Sequence, residues 1–399
     1  MVIKLLSGIM SFIMMVSFSD YLIDGNTITT STVSSASYVS ESEAEAIANQ
    51  CIQNQIGQVG CRWNITTRIY ETVPFSDPFG NVNSYLFRVI TDDEIIGYLF
   101  VDAYQENPHV QAFGYECDFM LDSIYEQNNN RKIEESDNII YNNGFSFFTR
   151  EQTGEYKSVV SGEVLEQTER EVKKQYAERK AELIEIENEA RISSETVSPM
   201  EQVVYTNKHL NGVYWDNDKN NFNFVPYIMK RFAGDNHCSP TAATNLVYYW
   251  ATIRPGGHYA LWNGSESARN PEYSVFCMLY SGMRTGYENG TARDNILPGI
   301  IAFSRARYDH VAGSGYQEDG LVDGVTWDFI KNNVDQSFPL LISLDQDPQY
   351  SGINHSILCV GYQECSDGNY LRIADGWQAT ISNFYYFKGN ISCARYVRW

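Results

Sequence analysis

The run His237-Cys238-Ser239-Pro240-Thr241-Ala242-Ala243-Thr244-Asn245-Leu246-Val247-Tyr248-Tyr249-Trp250 constrains the fold of this chain more than any other segment. Pro240 suits the first turn of a helix, because its φ is already helical and its missing N–H is not needed there. Ala243, Leu246, Val247 and Trp250 recur at helical spacing and predict one apolar face. Cys238 therefore stands at the entrance of a largely buried helix, where unpaired backbone N–H groups favour a thiolate, the nucleophilic form. Such a helix terminus contributes about 0.3–1 kcal/mol. One pKa unit corresponds to about 1.4 kcal/mol, so the field moves a thiol by roughly a unit. An activated thiolate needs a cationic neighbour as well, so the chain must also supply a histidine and a group to hold it.

Of the six histidines, His355 meets that need. It leads a short apolar strand, Ser356-Ile357-Leu358-Cys359-Val360, which is followed by a polar turn from Gln363 to Asn369. A second strand, Tyr370-Leu371-Arg372-Ile373-Ala374, ends in Asp375-Gly376-Trp377. An antiparallel hairpin sets its outer ends side by side, which places Asp375 next to His355. An acidic partner there fixes the imidazole tautomer and stabilises its charged form, and Trp377 is placed to shield the pair from water. Taken singly, Cys238 reads as a small core residue, His355 as a structural histidine and Asp375 as a turn residue. Their order and strand setting together point to a catalytic trio.

A cysteine at a helix start, then a histidine on a strand, then an Asp followed two residues on by Trp, resembles the papain-like cysteine peptidases. Cys-Ser-Pro-Thr-Ala-Ala with the later His and Asp-Gly-Trp is most similar to the streptopain-like and double-glycine-peptidase-like branches. The resemblance covers roughly residues 205–399. It implies a nucleophile at Cys238, a general base and acid at His355, an orienting residue at Asp375 and protein or peptide substrates. Papain-like enzymes carry a Gln shortly before the nucleophile to donate to the oxyanion. Here that stretch has no Gln, and Asn236 is its only neutral amide. Asn236 is thus the expected oxyanion donor, together with the Cys238 backbone N–H.

Acidic residues outnumber basic ones by 50 to 29, a formal net charge of −21, which argues against nucleic acid or an anionic membrane as partner. Lys4, a short apolar run to Val16 and the small residues of Ser17-Phe18-Ser19 read as a secretory signal over 1–19. That run is shorter than the ~20 residues of a membrane span, so the expected location is secreted, extracellular or at the cell surface. A flexible lead-in is expected at 20–39. Ser40 and Glu43 have capping-box spacing and start a helix. Alternating segments at 63–73, 84–90, 95–103 and 110–115 then predict a strand meander. This α+β module, 40–125, resembles the propeptide of streptopain-like zymogens, and the resemblance implies that it acts as an inhibitor.

A connecting segment with a charged helix is expected over 126–200, with Ile192 to Pro199 as an exposed linker. The peptidase domain follows over 201–399. The expected fold class is α+β, with a nucleophile-bearing helix packed on an antiparallel sheet. Neither cofactor nor metal is implied. His237 beside Cys238 lacks Cys-x-x-Cys or His-x-x-x-His spacing. Outside the cell disulfides are allowed, and Cys51–Cys61 and Cys365–Cys393 are open to pairing. Two other functions fit the same residues. One is a cysteine amidase or transamidase acting on cell-wall peptides. The other is a degenerate peptidase domain serving as a non-enzymatic surface or binding protein.

Overall fold

The computed structural model describes Tyr38–Trp399, apart from residues 105–107, 116, 144–145, 160–163, 165–167, 175, 178–203, 233–235, 263–269, 288–289, 309–317, 345–354, 367, 388–390 and 392. The expected signal, most of the lead-in and the linker near 192–199 lie outside the described residues.

Helix α1 (Glu41–Gln55) begins as predicted. The Ser40 side chain accepts from the Glu43 N–H, and the Glu43 carboxylate accepts from the Ser40 N–H. Its inward stripe is Ala44, Ala48, Cys51 and Ile52. The meander follows as β1 (Arg68–Ser76), β2 (Val82–Thr91), β3 (Glu94–Asp102) and β4 (His109–Tyr115), each strand antiparallel to the next. Helix α2 (Met120–Asn129) comes next. Its Asp122 pairs with buried Arg88 of β2 at 2.6 Å.

Three strands that the sequence did not reveal lie in the expected connecting segment: β5 (Ile140–Asn143), β6 (Ser146–Arg150) and β7 (Tyr156–Ser158). They are short and extend the sheet beyond β1, where Ser76 pairs in parallel with Ile140. The charged helix is described only around 169–177. Val172 packs with Ile140, Phe148 and Tyr156, and the Tyr176 hydroxyl lies against those of Tyr104 and Tyr38. The described turns thus dock on the front module through Val172 and Tyr176.

The second half contains β8 (Val204–His209), helix α3 (Cys238–Tyr248), α4 (Pro271–Gly282), α5 (Arg293–Tyr308), β9 (Glu318–Asp323), α6 (Trp327–Asp335) and β10 (Leu340–Leu344). Then come β11 (His355–Cys365), β12 (Gly368–Ala374), β13 (Asn383–Tyr386) and β14 (Cys393–Arg398). Helix α3 runs over the sheet as expected, but it is buried all round from Ser239 to Val247. Its polar groups are matched inside: Thr244 donates to the Pro240 carbonyl, and Asn245 exchanges two hydrogen bonds with the Tyr227 backbone. One core joins Leu246 and Val247 of α3 to Leu341, Ile342, Ile357 and Leu358 of the sheet.

The sheet does not stop between the halves. Its strand order is β9-β14-β10-β11-β12-β13-β4-β3-β2-β1-β5-β6-β7, with β8 added to β11. The join is an antiparallel pairing of β13 with β4, with Phe384 opposite Phe113. Those two rings stack at 4.7 Å. The core under α1 takes Tyr370, Phe384 and Cys365 from the second half beside Phe87, Leu99 and Phe113 of the first.

The same register removes one disulfide expectation. Cys393 pairs with Ser343, and Ser343 with Ser356, so Cys393 lies at the His355 end of β11. Cys365 closes the far end of that strand, about 30 Å away at the usual rise per residue. A bridge needs Cα atoms within about 7 Å.

Candidate active site

Cys238 is the first helical residue of α3 and follows its N-cap, His237. The Ser239 and Ser356 hydroxyls meet at 2.7 Å and tie the start of α3 to the start of β11. Each serine directly follows a candidate site residue, Cys238 or His355. This contact therefore ties together two segments more than a hundred positions apart in the chain. Cys238 is partly exposed. Burial of its sulfur pushes the thiol above its ordinary pKa, against hydrogen bonding from Ser356 and Ser239. This desolvation opposes the helix field expected to favour a thiolate.

His355 is buried. Its Nε2 lies 2.7 Å from the Asp375 main-chain oxygen. The sequence led to the expectation of a contact with the carboxylate, and the register explains the difference. The pairing of the two strands ends at Leu358 with Ala374, so Asp375 lies beyond the ladder, in a turn. The imidazole and indole rings stack at 3.8 Å and 18°, so Trp377 covers His355 directly. A carbonyl only accepts, so Nε2 carries the proton and Nδ1 bears the lone pair in the neutral ring. Burial lowers the His355 pKa to about 4, opposed by the Asp375 carbonyl.

The Asp375 carboxylate turns the other way. One oxygen accepts from the backbone N–H groups of Trp377 and Gln378, at 2.8 and 2.9 Å. The other accepts from Asn383 Nδ2 at 3.0 Å. Burial raises this carboxyl to about 6, against those two N–H groups. The carboxylate thus folds the turn that presents both the carbonyl and the indole to His355. Gly376 makes that turn possible, with φ of +84° in the left-handed region.

Asn236 also sits in the left-handed region, at φ +52°, which asparagine tolerates. Its amide Nδ2 donates to the Tyr287 carbonyl at 3.2 Å, so in this state it braces the turn around 286–290. His237 is buried, and its Nδ1 contacts Thr241 Oγ1 at 3.0 Å. Its ring lies edge-on to Phe276. Among the described residues, no three His, Cys, Asp or Glu side chains cluster to hold a metal ion.

Ser239, Ser356, Gln378 and Asn383 were not singled out from sequence. The two serines carried a usable signal, since each is the neighbour of a proposed catalytic residue. Asn383 carried none, because it opens an aromatic strand that reads only as sheet.

A thiol at a helix entrance and a strand-borne imidazole of fixed tautomer, carried on segments joined at Ser239 and Ser356, are groups suited to nucleophilic acyl chemistry. Residues 217–392 match the family model described as Peptidase_C39 like family. The match spans every residue of the site and begins after the front module. It supports a cysteine peptidase of the papain-like type, acting on protein or peptide substrates. No curated protein matches the chain. No helix among the described residues is long and apolar enough to cross a membrane.

Proposed function

We propose that this protein is a secreted cysteine endopeptidase in which Cys238 attacks the peptide carbonyl. The observation that carries the reading is the bond from His355 Nε2 to the Asp375 carbonyl. It leaves Nδ1 with the lone pair, ready to take the thiol proton. With the thiol raised and the imidazole lowered, the resting pair is neutral. The proton moves from Sγ to Nδ1 as the carbon–sulfur bond forms, and His355 then passes it to the leaving amine. Water, deprotonated by the same imidazole, releases the acid and returns the thiol.

Asp375 positions His355 through its turn, and Trp377 excludes water from the imidazole. The Cys238 N–H at the helix entrance and Asn236 are assigned to the oxyanion. For Asn236 this means exchanging its bond to Tyr287 for one to substrate.

Cys238→Ala tests the reading. The variant should fold, lose hydrolysis of a peptide library and lose thiol labelling at this position. Persistent hydrolysis refutes it. Export rests on the segment 1–19, and the amino terminus of the protein recovered from culture medium, read by mass spectrometry, checks it. We further propose that the protein is made as a precursor, cut in the exposed linker to release residues from about 200 onward. Release of the front module would leave β13 without its partner β4, which bears on what that module does.

A further inference from the structure

Four contacts run from the front module to the segment around the turn that holds His355, and two of them converge on Asn383. This residue opens β13 and is fully buried. Its Nδ2 donates to the Asp375 carboxylate at 3.0 Å. Its Oδ1 accepts from Cys117 Sγ at 2.9 Å and from the Tyr98 hydroxyl at 3.4 Å. Beside it, Gln378, whose N–H binds Asp375, gives its side-chain amide to the Asp118 carbonyl. Ser382 accepts from the Tyr115 N–H.

The polarity of these contacts is specific. The Asp375 carboxylate only accepts, so it takes the NH2 of the Asn383 amide. That turns the amide oxygen toward the Cys117 thiol and the Tyr98 phenol, which each have a proton to donate. Turned over, the amide would set its oxygen against Asp375. Tyr98 and Cys117 thereby hold the orientation that supports Asp375. The space is also reserved: a Cβ on Gly114, which pairs with Asn383, would meet Cys117 Sγ at 2.4 Å, the Tyr98 ring at 2.6 Å and Asn383 Oδ1 at 2.7 Å.

We propose that Asn383 is a positioning residue for the Cys238–His355 pair, oriented by Tyr98 and Cys117, so that the front module is a working part of the catalytic unit. This rests on the cysteine-peptidase reading given above. It gives the front module a role opposite to that of a removable inhibitor, because separating β4 from β13 strips Asn383 of the groups that orient it. The titratable groups around the amide are Asp375, Cys117 and Tyr98, with His355 beyond the Asp375 carbonyl.

The experiment uses the full chain and measures the rate of Cys238 alkylation by iodoacetamide against pH, resolved by site with mass spectrometry. Melting temperatures are recorded in parallel. Asn383→Ala should slow alkylation of Cys238 at neutral pH by roughly tenfold, the size expected for losing a hydrogen bond to a buried charge. It should also displace the pH midpoint. Cys117→Ala and Tyr98→Phe should each have a smaller effect in the same direction, and Cys117→Ser, which keeps a donor, should restore the wild-type profile.

Wild-type rate and midpoint in both Asn383→Ala and Cys117→Ala overturn the proposal. If Asn383→Ala does not fold, the contrast between Cys117→Ala and Cys117→Ser decides: equal profiles overturn it, and rescue by serine upholds it. A chain in which His355→Gln leaves the rate and pH midpoint of Cys238 alkylation at their wild-type values is a different failure. It removes the peptidase reading itself, and the proposal with it.

Discussion

The two buried groups of the site titrate in opposite senses, which makes Asp375→Asn a sharp test. The Asp375 carboxyl is held at about 6 against an ordinary 3.8. Between these values the folded protein keeps a proton that the unfolded chain has released. The contribution of Asp375 to stability is therefore full below pH 3.8 and is lost as pH rises through about 6. At about 1.4 kcal/mol per unit, the loss is about 3 kcal/mol. His355 is held at about 4 against 6.5. Here the unfolded chain binds the extra proton, so the contribution of His355 is full above pH 6.5 and is lost as pH falls through about 4. It too amounts to about 3 kcal/mol.

In the wild type these terms nearly cancel between pH 4 and 6. Asp375→Asn removes the first and leaves the second. Measured by urea unfolding at stepped pH, the stability of the variant minus that of the wild type should climb by about 3 kcal/mol from pH 3.5 to pH 7. His355→Gln should give a difference that falls by a similar amount. All other titrating groups drop out of both differences. A difference for Asp375→Asn that stays flat across that range would refute the assignment of a strained buried carboxyl at this turn.

Trp377→Ala uncovers the His355 ring, so the imidazole pKa should rise toward its ordinary value. The acid limb of kcat/KM should move to higher pH by one to two units, read from a pH–rate profile. Asn236→Ala should lower kcat by about 10²–10³ with KM little changed if its amide leaves Tyr287 for the oxyanion. A fall of less than tenfold assigns the side chain to bracing the 286–290 turn alone. Phe384→Ala removes a buried ring stacked on Phe113 at the β4–β13 seam. It should destabilise the protein by about 3–5 kcal/mol, measured by urea unfolding.

The local elements of the site follow from the sequence because they obey short-range rules. Pro240 and the spacing of Ala243, Leu246 and Val247 define α3. The capping box at Ser40 defines the start of α1. The apolar run after His355, the polar turn and the second run define the β11–β12 hairpin. The stacking of Trp377 on His355 lies outside that hairpin's register, because the paired strand ends at Ala374 and a turn carries the indole.

Tertiary structure alone decided the rest. Whether His355 meets the carboxylate or the carbonyl of Asp375 depends on where the carboxylate finds other donors, and one of these, Asn383, is itself oriented from the front module. The joining of β4 to β13 pairs segments more than 250 residues apart, and edge strands carry no local mark of their partner. The thiol pKa shows the same division. The helix entrance at Cys238, legible in the chain, favours a thiolate, whereas the packing around the sulfur, which only the folded protein reveals, favours the thiol.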